Sequence, residues 1–143
     1  MGLGPQVANA RLRPSRVVAL GRRVFRRILL RAGLADVVEV PGRLTGNPVQ
    51  VTLARWEVDG IPYFMSQYGE TDWVRNLRSA GGGQLRHKGR TVAFVVTEVD
   101  GDERQRVIDA FRAKADKLLT REFERLPSAA DHPTFRVEPI KDG

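Results

Sequence analysis

Cysteine is absent from the 143 residues, which excludes disulfides, thiolate zinc sites, iron–sulfur clusters and a cysteine nucleophile. Only two histidines occur, His87 and His132, far apart in sequence. A histidine-rich metal centre is therefore not expected, and no metal ligands are assigned. No apolar run approaches the ~18–20 residues of a membrane span. The apolar residues near the start are broken by arginine pairs, so no continuous signal-peptide core forms and the expected location is cytoplasmic. A chain of this length suits one domain and could bury roughly two-thirds of its unfolded surface, enough to fold without a metal or a cross-link.

Charge is present, but unevenly. Residues 1–43 hold nine arginines against Asp36 and Glu39, which accounts for the whole net charge of +7. The remaining hundred residues carry 15 basic and 15 acidic side chains. A nucleic-acid-binding domain concentrates its charge on the reading face; here the domain body is neutral and aromatics are few. No nucleic-acid partner is expected.

Residues 1–13 lack periodicity and read as a loose arm. Pro14 and Ser15 open a basic amphipathic helix that runs to about Arg31 and stops at Gly33. Val17, Leu20, Val24 and Ile28, widened by Val18, Phe25 and Leu29, form its apolar face. That face can lie across the domain, and the arginines suit anionic lipid, so a peripheral membrane contact through residues 14–32 is a possible partner reading. From residue 36 the period changes to two. Expected strands are 37–40, 48–56, 61–67, 85–88, 91–99 and 134–137, with Asp59-Gly60 and Lys88-Gly89 as hairpin turns. Val92 to Val96 reads as buried on both faces. Thr71 to Ala80 is a short helix, and 102 to about 123 a longer one with Val107, Ala110, Phe111, Lys114 and Leu118 on one face. Residues 34–143 form the domain. Mostly antiparallel strands with flanking helices indicate a mainly β, α+β fold, a closed or split barrel rather than a βαβ sheet.

The segment Ser66 to Leu77 carries the chemistry. A strand ends, Gly69 lets the backbone turn, and a helix begins with Thr71 at its N-cap. Unpaired amides and partial positive charge at a helix start receive anions or carbonyl edges. Trp73 offers a flat apolar face, Asn76 a donor and an acceptor, and Arg75 a cation. The glycine-punctuated turn Pro41 to Pro48 is a second candidate, with Arg43 and Thr45 beside successive amides. No phosphate-loop or dinucleotide fingerprint occurs, and the serines lack a nucleophile elbow.

The run Tyr68-Gly-Glu-Thr-Asp-Trp-Val-Arg-Asn-Leu77, with Ala80-Gly-Gly-Gly83, Gly42-Arg-Leu-Thr-Gly46 and Asp131-His-Pro-Thr-Phe-Arg-Val-Glu-Pro139, resembles the deazaflavin-dependent nitroreductase family of actinobacteria. The resemblance spans about residues 36–140. It implies a split β-barrel of the flavin-binding oxidoreductase type and the coenzyme F-420. It also implies hydride transfer to a small organic acceptor, a quinone, nitro compound or activated alkene. Carried over, Arg43, Thr45, Gly46 and Pro48 would face the cofactor's phosphate and acidic tail. Ser66, Gln67, Tyr68 and Gly69 would line the ring, and Trp73, Arg75, Asn76 and Leu77 would support it from the helix. Tyr68 and Ser66 would be the catalytic hydrogen-bond donors. Family members often carry lysine or arginine where this chain has Leu44, Asn47, Val49 and Gln67, and the tyrosine-rich substrate segment is missing from 113–126. The alternatives are a flavin mononucleotide (FMN) oxidoreductase and a non-catalytic module that binds lipid, fatty acid or cofactor on the same fold. A homodimer is compatible with so small a barrel.

Overall fold

The computed structural model describes residues 16–114, 121 and 123–140, with residues 16–20 described through their backbone only. Helix α1 (Arg16–Ala32) leads into β1 (Ala35–Pro41), β2 (Pro48–Ala54), β3 (Trp56–Val58) and β4 (Ile61–Met65). Helix α2 (Asp72–Ala80), β5 (Gly82–His87), β6 (Arg90–Val99), α3 (Gly101–Lys114), a single 3-10 turn (Ala129–Asp131) and β7 (Thr134–Pro139) complete the order. All strand pairs are antiparallel, in the order β2-β1-β5-β6-β7-β4-β3. Strands β2 and β3 lie at opposite edges of this sheet yet are separated in the chain by Arg55 alone. One bent strand thus joins the two edges, and the sheet curls into the split barrel.

The local reasons are those the sequence supplies. Asp59 and Gly60 have φ of 54° and 78°, and Lys88 and Gly89 have 50° and 80°. Both pairs are the two-residue turns whose positive φ matches the twist of a hairpin. Helix α1 ends where Gly33 takes φ 76°, with Leu34 N donating to Leu29 O and Gly33 N to Leu30 O, a Schellman closure. Alternation places Val38, Val40, Leu53, Phe64, Leu85, Phe94, Phe135 and Val137 inside the barrel, plugged by Val74 and Leu77 of α2. Under α3 a second cluster forms from Tyr63, Met65, Val99, Val107, Ile108, Phe111 and Phe123.

Four expectations need correction. Strand β6 is not buried on both faces: Phe94 points in, while Ala93 and Val95 are exposed. Helix α3 packs over β3 and β4 instead, so Tyr63, Phe64 and Met65 make the doubly covered run. The strand expected at 85–88 begins earlier, at Gly82, and ends at His87. Helix α1 turns its apolar stripe outward, with Val24, Phe25 and Ile28 exposed by 47%, 62% and 57%, because it meets the barrel through Leu29, Leu30 and the Arg26–Thr52 hydrogen bond. Finally, Lys114 is exposed rather than sharing the buried face of Val107 and Phe111. The side chains of Val17, Val18 and Leu20, and Leu118, lie outside the described residues, as do the arm 1–13 and Pro14 and Ser15.

Beneath α3, Tyr63 donates its hydroxyl to Glu103 Oε2 at 2.7 Å, and Arg136 Nη1 donates to both Glu103 oxygens at 3.0 Å. Burial first, and then the adjacent carboxylate, push the Tyr63 phenol up to about 12. The Tyr63 hydrogen bond, helped by Arg136, holds the Glu103 carboxyl below the usual carboxylate range. A phenol pKa raised on folding stabilises the native state below pH 10 and loses that contribution as pH climbs towards 12. Denaturant midpoints should therefore fall across pH 10 to 12 more steeply in the wild type than in Tyr63→Phe. Parallel decline in the two proteins would refute this assignment.

Candidate functional site

Helix α2 organises the site. Its buried side is Val74, Asn76 and Leu77, and Arg78 fastens it to the barrel by paired contacts to Glu70 (2.7 and 2.9 Å) and Glu98 (2.7 and 2.8 Å). The Arg78 hydrogen bonds are the main reason the Glu70 carboxyl lies below its ordinary range. At the other end of the helix the N-terminus is left open. Thr71 occupies the N-cap position with extended backbone, as the sequence implies, but its side chain caps nothing. Its buried hydroxyl has no partner among the described residues. Asp72, Trp73 and Val74 thus present helix-start amides that no side chain covers.

The turn between β1 and β2 is brought onto this helix. Asn76 Oδ1 accepts from Arg43 N at 3.1 Å and from Arg43 Nη1 at 2.7 Å, while Arg43 Nη2 reaches Asp72 Oδ1 at 3.2 Å. The turn is braced internally by Gly42 N to Asn47 O, Gly46 N to Gly42 O and Asn47 N to Thr45 Oγ1. The Leu44 and Thr45 amides have no acceptor among the described residues. A cleft of about 200 Å³ beside the turn is walled by Glu39, Pro41, Gly46, Pro48, Gly83 and Gln84.

Trp73 is half-buried against the core, 6.1 Å from the Phe135 ring. Leu77 is buried in the barrel, and Arg75 is exposed on α2. Among the valines, Trp73 and Asn76 that line the top of the barrel, the open space is only about 10 Å³. That is room for one water at most, and far too little for a fatty acyl chain.

The loop 66–69 leads into the open helix start from the other side. Ser66 is buried, donating its hydroxyl to Gly69 O at 2.6 Å. Gln67 is half-buried and Tyr68 is 64% exposed. Gly69 is buried at φ 83°, so its turn requires glycine. His132 supports the loop from behind. Its Nδ1 lies 2.9 Å from Ser66 O and its Nε2 2.7 Å from Leu126 O, with the ring stacked 3.8 Å from Phe123. No hydrogen bond or ion pair links loop 66–69 to the 42–47 turn among the described residues; α2 alone relates them.

Sequence reading missed Asp72 as the second anchor of Arg43. It also missed the buried carboxylate of Asp36, bonded to Arg55 and His87 at the far end of β1. A signal existed for the latter: with period two, Asp36 falls on the inward face shared by Val38 and Val40.

The fold is shared with solved structures of low sequence identity. An F420-H2 dependent reductase superposes with a TM-score of 0.56 at 20% identity, over 73% of this chain and 94% of that one. A pyridoxamine 5′-phosphate oxidase candidate from Listeria innocua gives 0.55 at 8% identity, over 85% and 94%. The heme storage protein of Vibrio cholerae gives 0.56 at 12% identity, over 86% and 90%. No protein-family model matches the sequence, and no curated protein matches it. The chain therefore has the split-barrel fold of flavin-binding oxidoreductases.

Proposed function

We propose that this protein is an oxidoreductase that uses a reduced deazaflavin coenzyme of the F-420 type to reduce an organic acceptor, such as a quinone, nitro compound or activated alkene. The observation that carries this reading is the open start of α2. Its amides are uncapped, the buried Thr71 hydroxyl beside them lacks a partner among the described residues, and Arg43 is held over the same turn by Asn76 and Asp72. Helix-start amides and a fixed guanidinium suit a ring edged with carbonyls and carrying an anionic tail. The residues present thus fit such a group, and the uncommitted Leu44 and Thr45 amides fit its phosphate.

When bound, the coenzyme would supply the hydride. The chain's own part is to bind, orient and exclude water. Trp73 would give an apolar flank, Arg43 and the 42–47 turn would hold the tail, and loop 66–69 would border the ring. Of the two hydroxyls assigned to the acceptor, Tyr68 faces solvent, whereas the Ser66 hydrogen is already donated to Gly69 O. Tyr68 is the better placed to hydrogen-bond a reacting oxygen.

The test is a titration of the protein with oxidised coenzyme F-420 and, separately, with FMN, followed by tryptophan quenching. Saturable binding of the deazaflavin is expected. Asn76→Ala should weaken it about tenfold or more, because it frees Arg43 and strands a charge-assisted donor. Binding of FMN alone would transfer the chemistry to a flavin. Binding of neither below about 100 μM, near −5.5 kcal/mol, would overturn the oxidoreductase reading.

A further inference from the structure

A second polar constellation lies at the opposite end of β1 and β5 from the Arg43 turn. Asp36 is fully buried there, and both of its oxygens are engaged. Arg55 Nη1 donates to Oδ2 at 2.7 Å, and His87 Nδ1 lies 2.8 Å from Oδ1. A carboxylate oxygen only accepts, which assigns the hydrogen to Nδ1 and leaves Nε2 as the imidazole's outward polar atom. That nitrogen has no hydrogen-bond partner among the described residues. Arg55 is committed elsewhere too, donating Nε to Glu57 at 3.0 Å.

His87 forms part of the wall of a cleft of about 330 Å³ between the end of α1, the Arg55 bend and the β5–β6 turn. Lys88 and Lys114 line the same cleft, and neither ammonium has an ion pair among the described residues. Trp56 lines it as well, and its buried indole N–H has no acceptor among the described residues. At the α1 end the carbonyls of Leu29 and Leu30 are taken by the Gly33 closure, and Glu57, which also lines the cleft, is paired with Arg55.

The backbone is shaped around these groups. Lys88 sits at φ 50°, a region that lysine seldom enters. Gly33 leaves room for it: a Cβ there would lie 2.5 Å from Lys88 Cε and 3.0 Å from His87 Cε1. The turn therefore sets both side chains beside the helix end, His87 half-buried and Lys88 exposed.

We propose that this cleft binds a phosphate group. Lys88 and Lys114 supply the charge, and His87, oriented by Asp36, supplies a directional hydrogen bond at Nε2. A phosphate can accept from the two ammoniums while its remaining oxygen either donates a proton to Nε2 or accepts one from it, so it suits the imidazole in both protonation states. The site lies apart from the α2 start, and its existence does not depend on the cofactor assignment.

The experiment is a titration of the full chain with inorganic phosphate, followed by amide and indole NMR shifts, with chloride balancing ionic strength. Saturable shifts are expected at Gly33, His87, Lys88 and the Trp56 indole. Lys114→Gln should weaken binding about threefold or more. Lys88→Asn keeps the turn, because asparagine tolerates positive φ, and should do the same; the double variant should lose about tenfold. His87→Gln retains a donor to Asp36 and tests the Nε2 contact separately, with an expected loss of about threefold or more. Arg26→Gln, a cation on α1 bonded to Thr52, should leave affinity unchanged. Absence of shifts at about 10 mM phosphate, or an unaltered midpoint in the folded lysine double variant, would overturn the proposal.

Discussion

Replacing Asp36 by alanine is expected to destabilise the fold by about 3–5 kcal/mol, the usual cost of removing one partner from a buried ion pair. The carboxylate is wholly buried, and the Arg55 side chain it compensates is only 10% exposed. Without Asp36 that guanidinium keeps, among the described residues, only Glu57, whose side chain is 54% exposed. Arg55 also occupies the bend through which β2 becomes β3, with its N–H donating to Leu34 O, so the strain falls where the barrel closes. Urea unfolding of Asp36→Ala beside Glu57→Ala provides the measurement. The exposed carboxylate should cost less than about 1 kcal/mol. Equal small losses in both variants would show that the buried pair does not support closure.

Gly83→Ala should have the next largest effect, about 3 kcal/mol or more. A Cβ at Gly83 would overlap Glu39 O and come within 2.9 Å of Val40 Cγ1. Glu39 O belongs to the backbone of the neighbouring strand, where β1 and β5 pair at Glu39 and Gln84, and it cannot rotate away as a side chain would. Gly83 also walls the cleft beside the Arg43 turn, so deazaflavin affinity should fall together with stability. Gly89→Ala is the matching control. It has open space around it and φ 80°, and should cost only the roughly 1–2 kcal/mol of a left-handed backbone. A Gly83→Ala protein as stable as this control would mean that the two strands can separate there at little cost.

The β-hairpins and helix positions were legible because their causes are local. Asp59-Gly60 and Lys88-Gly89 carry their turn type in two residues, and period-two alternation identifies the core side of β1 and β7. Errors arose where a neighbour decides. Val92 to Val96 is as apolar as β4, yet α3 covers β4 and leaves Val95 exposed. The apolar stripe of α1 is plain in sequence, but its direction depends on which side of the helix Leu29, Leu30 and Arg26 use to reach the barrel. Thr71 was correctly placed at a helix start, whereas the lack of a side-chain cap depends on how the 66–69 loop enters. At the candidate site, Arg43, Trp73 and Asn76 were recognisable by type and spacing, but their direct association was not: Arg43 and Asn76 are 33 residues apart.

The sequence by itself determined the turns, the strand and helix periods, the absence of thiol chemistry and the concentration of net positive charge in the first 43 residues. These follow from backbone preferences and composition, which act over a few residues or none. Tertiary structure alone decided that Arg55 joins the two sheet edges, that Asn76 holds the Arg43 turn, and that His87 meets Asp36 across 51 positions of chain. Burial, ion pairing and the alignment of donors with acceptors depend on distant segments being brought to within a few ångströms, and that proximity exists only once the barrel has closed.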